Sequence, residues 1–252
     1  ETRDIIAWNS LISGYAQQNY GSEALTYFAK MQLDGVSPNA ITFISSLKAC
    51  GSIRSIDMGQ KIHAEINRQG LLHDSCIGNA LIDMHSKCGS LMKAQEVFDK
   101  LLVRDVVSWN SLIGGYANSE QGKAALDCLE KMEVEGVMPD AITFFSILKA
   151  CGNIGAREKG EEIYAEMARK GILDQHDHII NNALVDLYAK CGPLGRAEQI
   201  FDKLPVRDVV SWNALILGYA QLGENAKALN TFNRMRDEGQ TPDVVTFIGV
   251  LN

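Results

Sequence analysis

A seven-residue segment that occurs twice in identical form limits what this chain of 252 residues can fold into. Arg104-Asp-Val-Val-Ser-Trp-Asn110 returns as Arg207-Asp-Val-Val-Ser-Trp-Asn213, and a looser copy, Arg3-Asp-Ile-Ile-Ala-Trp-Asn9, lies near the start. The tryptophans of the three copies are 101 and 103 residues apart. A long fixed period predicts a series of similar units that stack on one another, because each unit alone is too small to bury its apolar face.

Within each period the apolar residues follow the spacing of amphipathic helices. From Trp8 to Tyr15 they stand at i, i+3, i+4 and i+7. Ser22 is a candidate N-cap for the next helix, and the segment Gly35-Val-Ser-Pro38 predicts its end, since glycine accepts the left-handed C-terminal position. No segment alternates apolar and polar residues like a strand. We therefore predict an all-α protein, with a loop in the polar stretch 174–178.

Alignment of the copies divides the chain into units of 31 to 37 residues, which we expect to be helical hairpins. Packed in series, they would form a right-handed superhelical α-solenoid whose first helices line the inner surface. We expect the chain to be a segment of a longer protein, and its cut ends to expose apolar faces that favour end-to-end self-association. The predicted units are 5–39, 40–74, 75–105, 106–140, 141–177, 178–208 and 209–243, followed by a truncated unit at 244–252.

The composition argues against several classes of function. A net charge of −7 disfavours a general basic nucleic-acid binder, and the absence of a run of about 18 apolar residues predicts no membrane span. The six cysteines form no C-x-x-C motif, so we interpret them as buried small hydrophobic residues. His63 and His85 are replaced by Tyr164 and Tyr188 in the second copy. A metal ligand would not be exchanged for tyrosine between copies, so we expect no metal and no cofactor.

Three kinds of unit can be distinguished by their residues. The segments that define them are Val106–Tyr116 with Gly136–Asp140, Leu148–Gly152 with Lys159–Gly160, and Asn79–Gly89 with Val97–Asp99. The first resembles the pentatricopeptide repeat rather than the tetratricopeptide repeat, which has a similar length. The second and third are similar to the long and short motifs of its plant PLS subclass, which alternates ordinary, long and short motifs.

This resemblance implies that the chain binds single-stranded RNA, with one base read by each motif. In the family, the fifth and last residues of a motif read the base, and the second residue packs against it. The fifth residues of the ordinary and short units are Asn9, Asn79, Asn110, Asn182 and Asn213, and the last residues are Asn39, Asp105, Asp140, Asp208 and Asp243. The second residues are Ile6, Cys76, Val107, Ile179 and Val210.

The family's code implies the RNA site 5′-C-N-U-U-N-U-U-3′, in which N is any base. An ionised aspartate only accepts hydrogen bonds and suits the ring N–H of uracil, whereas an asparagine amide can donate to cytosine. Ile44 and Phe145 stand at the fifth position of the long units and cannot read a base edge. A local interpretation remains open, since Asp105 and Asp208 directly precede helices and could cap them.

The remaining expectations concern partners and role. Lys87 and Lys190 are candidate phosphate contacts at equivalent places in the two short units. The resemblance implies the recognition module of an RNA-processing factor of chloroplasts or mitochondria that acts in cytidine-to-uridine editing. The segment lacks the paired H-x-E and P-C-x-x-C signature of a zinc deaminase and is not expected to be an enzyme. The alternative is a protein-binding scaffold, with the long units 40–74 and 141–177 facing multiple organellar RNA editing factor proteins.

Overall fold

The computed structural model describes residues 4–171 and 173–251, and their side chains except those of 173–178. The described residues contain 15 α-helices, one short 3₁₀ helix and no strand. The prediction of an all-α protein is therefore confirmed. The chain divides into two compact units, Glu1–Ser119 and Glu120–Asn252.

The first compact unit contains seven α-helices, and the odd-numbered ones are the first helices of successive hairpins. These first helices contact one another in series, and each also packs on the second helix that precedes or follows it. The helices are α1 Ile5–Gln17, α2 Gly21–Leu33, α3 Ala40–Ser52, α4 Ile56–Arg68, α5 Ser75–Lys87, α6 Leu91–Asp99 and α7 Val106–Asn118, with the 3₁₀ helix Leu71–His73 before α5.

The second unit repeats this arrangement with eight α-helices, in which α9, α11, α13 and α15 contact one another in series. The helices are α8 Gly122–Val134, α9 Ala141–Asn153, α10 Arg157–Arg169, α11 Leu173–Cys191, α12 Leu194–Asp202, α13 Val209–Gln221, α14 Asn225–Asp237 and α15 Val244–Leu251. The predicted loop at 174–178 is wrong, because α11 includes it. Polar composition alone does not break a helix, and this stretch contains neither glycine nor proline.

Helix ends follow the predicted glycine signals. Gly35, Gly136 and Gly239 each have φ of 76°, the left-handed conformation that a side chain disfavours. The N–H of the residue after each glycine bonds to a carbonyl five residues earlier, as from Val36 to Met31 at 3.1 Å. The expected N-cap at Ser22 is wrong, because α2 begins one residue earlier, at Gly21.

The identical seven-residue segments connect consecutive hairpins. The ring of Trp109 is buried and meets Phe98 of the preceding second helix edge-on, with centroids 4.5 Å apart. The guanidinium carbon of Arg104 lies 4.9 Å from the centroid of the Phe98 ring, and Nε of Arg104 donates to the Phe98 carbonyl. Each copy thus contains both the aspartate that caps the next first helix and the tryptophan that packs on the preceding second helix. The corresponding residues in the second unit are Trp212, Phe201 and Arg207, with ring centroids 4.6 Å apart.

The cysteines only partly follow the prediction. Cys50, Cys128 and Cys151 are buried, and burial raises the pKa of the Cys50 thiol to about 12 and that of Cys151 to about 11. These two thiols therefore remain protonated at neutral pH. Cys76 is exposed, so the interpretation as a buried residue is wrong there. A helix begins one residue before Cys76, and the Cys76 side chain is exposed on its first turn.

The two histidines that differ between the copies contact each other in the first unit. Nδ1 of His63 lies 3.0 Å from Nε2 of His85, and His85 is fully buried. Burial, and next the neighbouring His63, lowers the pKa of His85 to about 4. Among the described side chains, groups of three or more metal-ligating residues do not occur. Within the described ranges no helix is long and apolar enough to cross a lipid bilayer.

Candidate nucleic-acid interface

The predicted second residues form exposed apolar positions on the first helices. Ile6 is 71% exposed, and the other four are exposed as well. A second residue and a fifth residue of one helix are three positions apart, so they lie on the same face. The long units share this property, which the sequence reasoning did not consider, since Ile41 and Ile142 are 56% and 60% exposed. An exposed aliphatic residue beside an amide is suited to the flat face and polar edge of a base.

The fifth and last residues, which are 26 or 30 positions apart in the chain, meet through hydrogen bonds. In each pair that lies within one compact unit, the asparagine Nδ2 donates to a side-chain oxygen of the last residue. Asn110 belongs to the first compact unit and Asp140 to the second. The bonded pairs are Asn9 with Asn39 at 3.1 Å, Asn79 with Asp105 at 3.2 Å, Asn182 with Asp208 at 2.8 Å and Asn213 with Asp243 at 2.9 Å.

The last residues also cap helices, as the local interpretation expected. Oδ1 of Asp105 accepts the N–H of Ser108 at 2.8 Å, and Oδ1 of Asn39 accepts that of Thr42 at 3.1 Å. Asp140, Asp208 and Asp243 accept equivalent N–H groups. Capping does not exclude base reading, because the cap uses only Oδ1. In Asp105 and Asp208 the Oδ2 atom also accepts from the paired asparagine, but a carboxylate oxygen has two lone pairs and can accept a second hydrogen bond.

The atom that remains differs between asparagine and aspartate. Oδ1 of Asn39 accepts from Asn9 and from the Thr42 N–H, and the Thr42 hydroxyl oxygen lies 3.0 Å from it. Its Nδ2 has no partner in the described part of the chain and is a donor. Oδ1 of Asp243 has the same three neighbours, and its Oδ2 remains as an acceptor. The two side chains thus offer opposite hydrogen-bonding groups from one geometry.

Two of the carboxylates have lowered pKa values. Burial raises the pKa of Asp105, but the bonds from the Ser108 N–H and the Asn79 amide outweigh it, and the net shift is downward. For Asp243 the Thr246 N–H is the largest cause, and it lowers the pKa. Both groups are therefore ionised at neutral pH and only accept hydrogen bonds.

The long units present different side chains at the fifth position. Ile44 and Phe145 are half-buried on α3 and α9. Neither carries a polar atom, so neither can form a hydrogen bond with a base edge. Among the fifth positions, only those of the ordinary and short units carry a group that could form such a bond.

A polar cavity of about 670 Å³ in the first compact unit brings a fifth-position asparagine close to cationic side chains. It lies between the C-terminal parts of α3, α5 and α7, and its lining includes Asn110, Lys87 and Arg54. Nζ of Lys87 bonds to Asp83 at 2.7 Å. Arg54 was missed by the sequence reasoning, and glycine stands at the equivalent place in the second copy, so the repeat contains no signal for it.

Lys190 occupies the corresponding place in the second unit. Its Nζ bonds to Asp186 at 2.7 Å and to Oδ1 of Asn153 at 2.9 Å. Both predicted phosphate contacts thus have a neighbouring carboxylate. Because such exposed pairs contribute little energy, a phosphate can compete for the lysine.

The hairpins and their ordered polar pairs define a helical repeat protein, and comparisons with known proteins identify the repeat. The PPR repeat family matches residues 3–52, 104–153 and 207–252, and the PPR repeat matches residues 79–106 and 182–209. The chain belongs to the pentatricopeptide repeat family.

Relatives and solved structures agree with this assignment. A chloroplastic pentatricopeptide repeat-containing protein of Arabidopsis thaliana is 39% identical over 249 residues, which are 99% of this chain and 30% of that protein. A mitochondrial one from the same plant is 36% identical over 99% of this chain and 38% of its own length. This chain therefore spans less than half of these relatives.

The solved structures show the fold. PPR10 in complex with an 18-nt psaJ RNA element has 22% identity and a TM-score of 0.73, covering 96% of this chain and 36% of that one. A second structure of PPR10, from maize, has a TM-score of 0.60 at 19% identity, covering 100% of this chain and 42% of that one. The fold is that of a pentatricopeptide repeat solenoid.

Proposed function

We propose that this chain binds single-stranded RNA, reading one base with each ordinary or short motif. The observation that carries the proposal is the repeated pair of a fifth-position asparagine and a last-position cap. In the first and last pairs, Nδ2 of Asn39 and Oδ2 of Asp243 are left for a base, and in the other two pairs a carboxylate oxygen keeps a second lone pair for one. Each pair lies beside an exposed second-position residue. The binding of RNA by PPR10, a protein of the same fold, supports the proposal.

The remaining polar groups explain the proposed site, 5′-C-N-U-U-N-U-U-3′. The N3 position of uracil donates, so it pairs with an aspartate acceptor, as at Asp105 and Asp243. The N3 position of cytosine accepts, so it pairs with the outward Nδ2 of Asn39. The second and fifth bases meet Ile44 and Phe145 and are unselected.

The proposed role is that of a recognition module in an organellar RNA-processing factor. Names of similar proteins place them in chloroplasts or mitochondria. The alternation of ordinary, long and short motifs favours the PLS subclass and hence cytidine-to-uridine editing. The chain would place a catalyst, covalently joined or recruited, at one target cytidine.

The test is fluorescence anisotropy with labelled 5′-CAUUAUU-3′ and competitors that each change one base. We expect a change at any of the five read positions to weaken binding about fivefold, the scale of one net hydrogen bond. Changes at the second and fifth bases should have little effect. Asn79→Ala should abolish selectivity at the third base, whereas Asn67→Ala, an exposed asparagine on α4, is the matched control. Equal binding of an all-purine RNA would exclude the proposal.

A second candidate function is recruitment of editing-factor proteins by the long motifs. Ile41 and Ile142 are exposed beside half-buried Ile44 and Phe145, so each long motif presents apolar side chains without a base-reading amide. We propose this surface as a protein contact. Pull-down with a multiple organellar RNA editing factor protein should succeed with the wild type and fail after Ile41→Asp and Ile142→Asp, while RNA selectivity at the first base persists.

A further inference from the structure

The orientation of the amide in a fifth-position asparagine, called the reader from here on, decides whether it offers a hydrogen-bond donor or an acceptor to a base. An asparagine side chain has an acceptor at one end and a donor group at the other, and a rotation of the amide by half a turn exchanges them. Selectivity therefore depends on what holds the amide in place. The last residue of the same motif holds the Nδ2 end. The Oδ1 end is held differently in the two kinds of junction.

Where an ordinary motif is followed by a long one, a threonine holds the amide oxygen. The hydroxyl of Thr42 donates to Oδ1 of Asn9 at 2.6 Å. The second copy has the same geometry, because the hydroxyl of Thr246 donates to Oδ1 of Asn213 at 2.6 Å. Both threonines are fully buried, and the two asparagines are only 8% and 6% exposed.

The threonine is itself held by the helix cap. Its Oγ1 accepts the backbone N–H of the last residue, at 3.1 Å from both Asn39 and Asp243. The single hydroxyl hydrogen is then left for the amide oxygen or the cap oxygen, of which the amide oxygen is nearer. Rotation of the Asn9 amide would bring its oxygen against Oδ1 of Asn39, so both ends favour one orientation.

Where a short motif is followed by an ordinary one, a serine occupies the same place and does not contact the reader. The hydroxyl of Ser108 donates to the backbone carbonyl of Asp105 at 2.8 Å, and that of Ser211 does the same to Asp208. Oδ1 of Asn79 and of Asn182 is buried without a hydrogen-bond partner. Their amides are held at the Nδ2 end alone.

We propose that Thr42 and Thr246 are positioning residues for base selection. Each fixes the reader asparagine of the preceding motif, so that its oxygen is occupied and only an N–H group faces the base. The third residue of one motif thus tunes the selectivity of the motif before it. This inference rests on the proposed function, since it concerns how the same asparagines read RNA.

The test measures selectivity at one base with variants of the full chain. Anisotropy titrations compare 5′-CAUUAUU-3′ with 5′-UAUUAUU-3′ for wild type, Thr42→Val and Thr42→Ser. We expect the preference for cytosine to fall about fivefold in the valine variant, the factor for one lost hydrogen bond, and to be retained by serine, which keeps a hydroxyl. Ser108→Ala is the matched control, and it should leave the preference for uracil at the third base unchanged.

The outcomes separate this inference from the proposed function. If the wild type binds the two RNAs equally, the base-reading function itself fails. If the wild type discriminates and Thr42→Val keeps the same ratio, or Ser108→Ala loses as much at the third base, the positioning role is refuted. Circular dichroism melting establishes that each variant is folded. If Thr42→Val does not fold, Thr246→Val provides the same measurement at the seventh base, with uracil against cytosine.

Discussion

Replacement of the amide by a carboxylate at Asn39, the last residue of the first motif, should reverse a base preference. Asn39 uses Oδ1 to accept from the Asn9 amide and from the Thr42 N–H, and leaves Nδ2 as the remaining donor. Asn39→Asp replaces that donor with a carboxylate oxygen while keeping the cap, since asparagine and aspartate are similarly effective N-caps. We therefore expect the fold to be unchanged and the first base preference to move from cytosine to uracil.

The magnitude follows from one hydrogen bond. In the wild type the N3–H of uracil would face Nδ2 of Asn39, so two donors would oppose each other and one bond would be lost. The net loss is about 1 kcal/mol or more, which is about fivefold in affinity. In the variant the same argument applies to cytosine, whose N3 would face a carboxylate oxygen.

The assay is anisotropy with RNAs that carry cytosine or uracil as the first base. Asp243→Asn is the reciprocal control, because Asp243 has the same arrangement of cap, asparagine and threonine. It should move the seventh base preference from uracil toward cytosine and leave the first base alone. Equal affinities for both RNAs in the wild type and in Asn39→Asp would refute the reasoning.

Three further predictions concern stability and phosphate contact. The pKa of His85 is lowered from about 6.5 to about 4, so the unfolded state binds the proton first as the pH falls. The free energy of unfolding should therefore fall between these pH values, by about 2 kcal/mol at pH 5; urea denaturation at a series of pH values should show a shallower slope after His63→Tyr and His85→Tyr. Trp212→Ala should lower the free energy of unfolding by about 3–5 kcal/mol, and a loss below 1 kcal/mol in urea denaturation would contradict the role of the aromatic contact. Lys87→Ala with Lys190→Ala should weaken binding of all RNAs alike. The slope of the logarithm of affinity against the logarithm of salt concentration should become shallower by about 0.7 per lysine, whereas altered base selectivity in the titrations would contradict phosphate contact.

Several features of the fold could be predicted from the sequence because they depend on neighbours in the chain. Helical spacing from Trp8 to Tyr15, and the glycine that ends each second helix at positions such as Gly35, act over one or two turns. Local signals also have limits. The stretch 174–178 has a polar composition that is typical of a loop, yet it belongs to α11, since its residues permit a helix.

The candidate site was predicted as a set of positions, from resemblance and repeat register. What the sequence determined was which residues stand at the second, fifth and last places of each unit. Only the tertiary structure decided how they meet, because Asn9 and Thr42 are 33 residues apart and Asn79 and Asp105 are 26 apart. Such contacts depend on how one hairpin packs on the next. A threonine and a serine in the same register have similar local preferences, and only that packing shows that the hydroxyl of Thr42 reaches a reader while that of Ser108 turns back to its own helix cap.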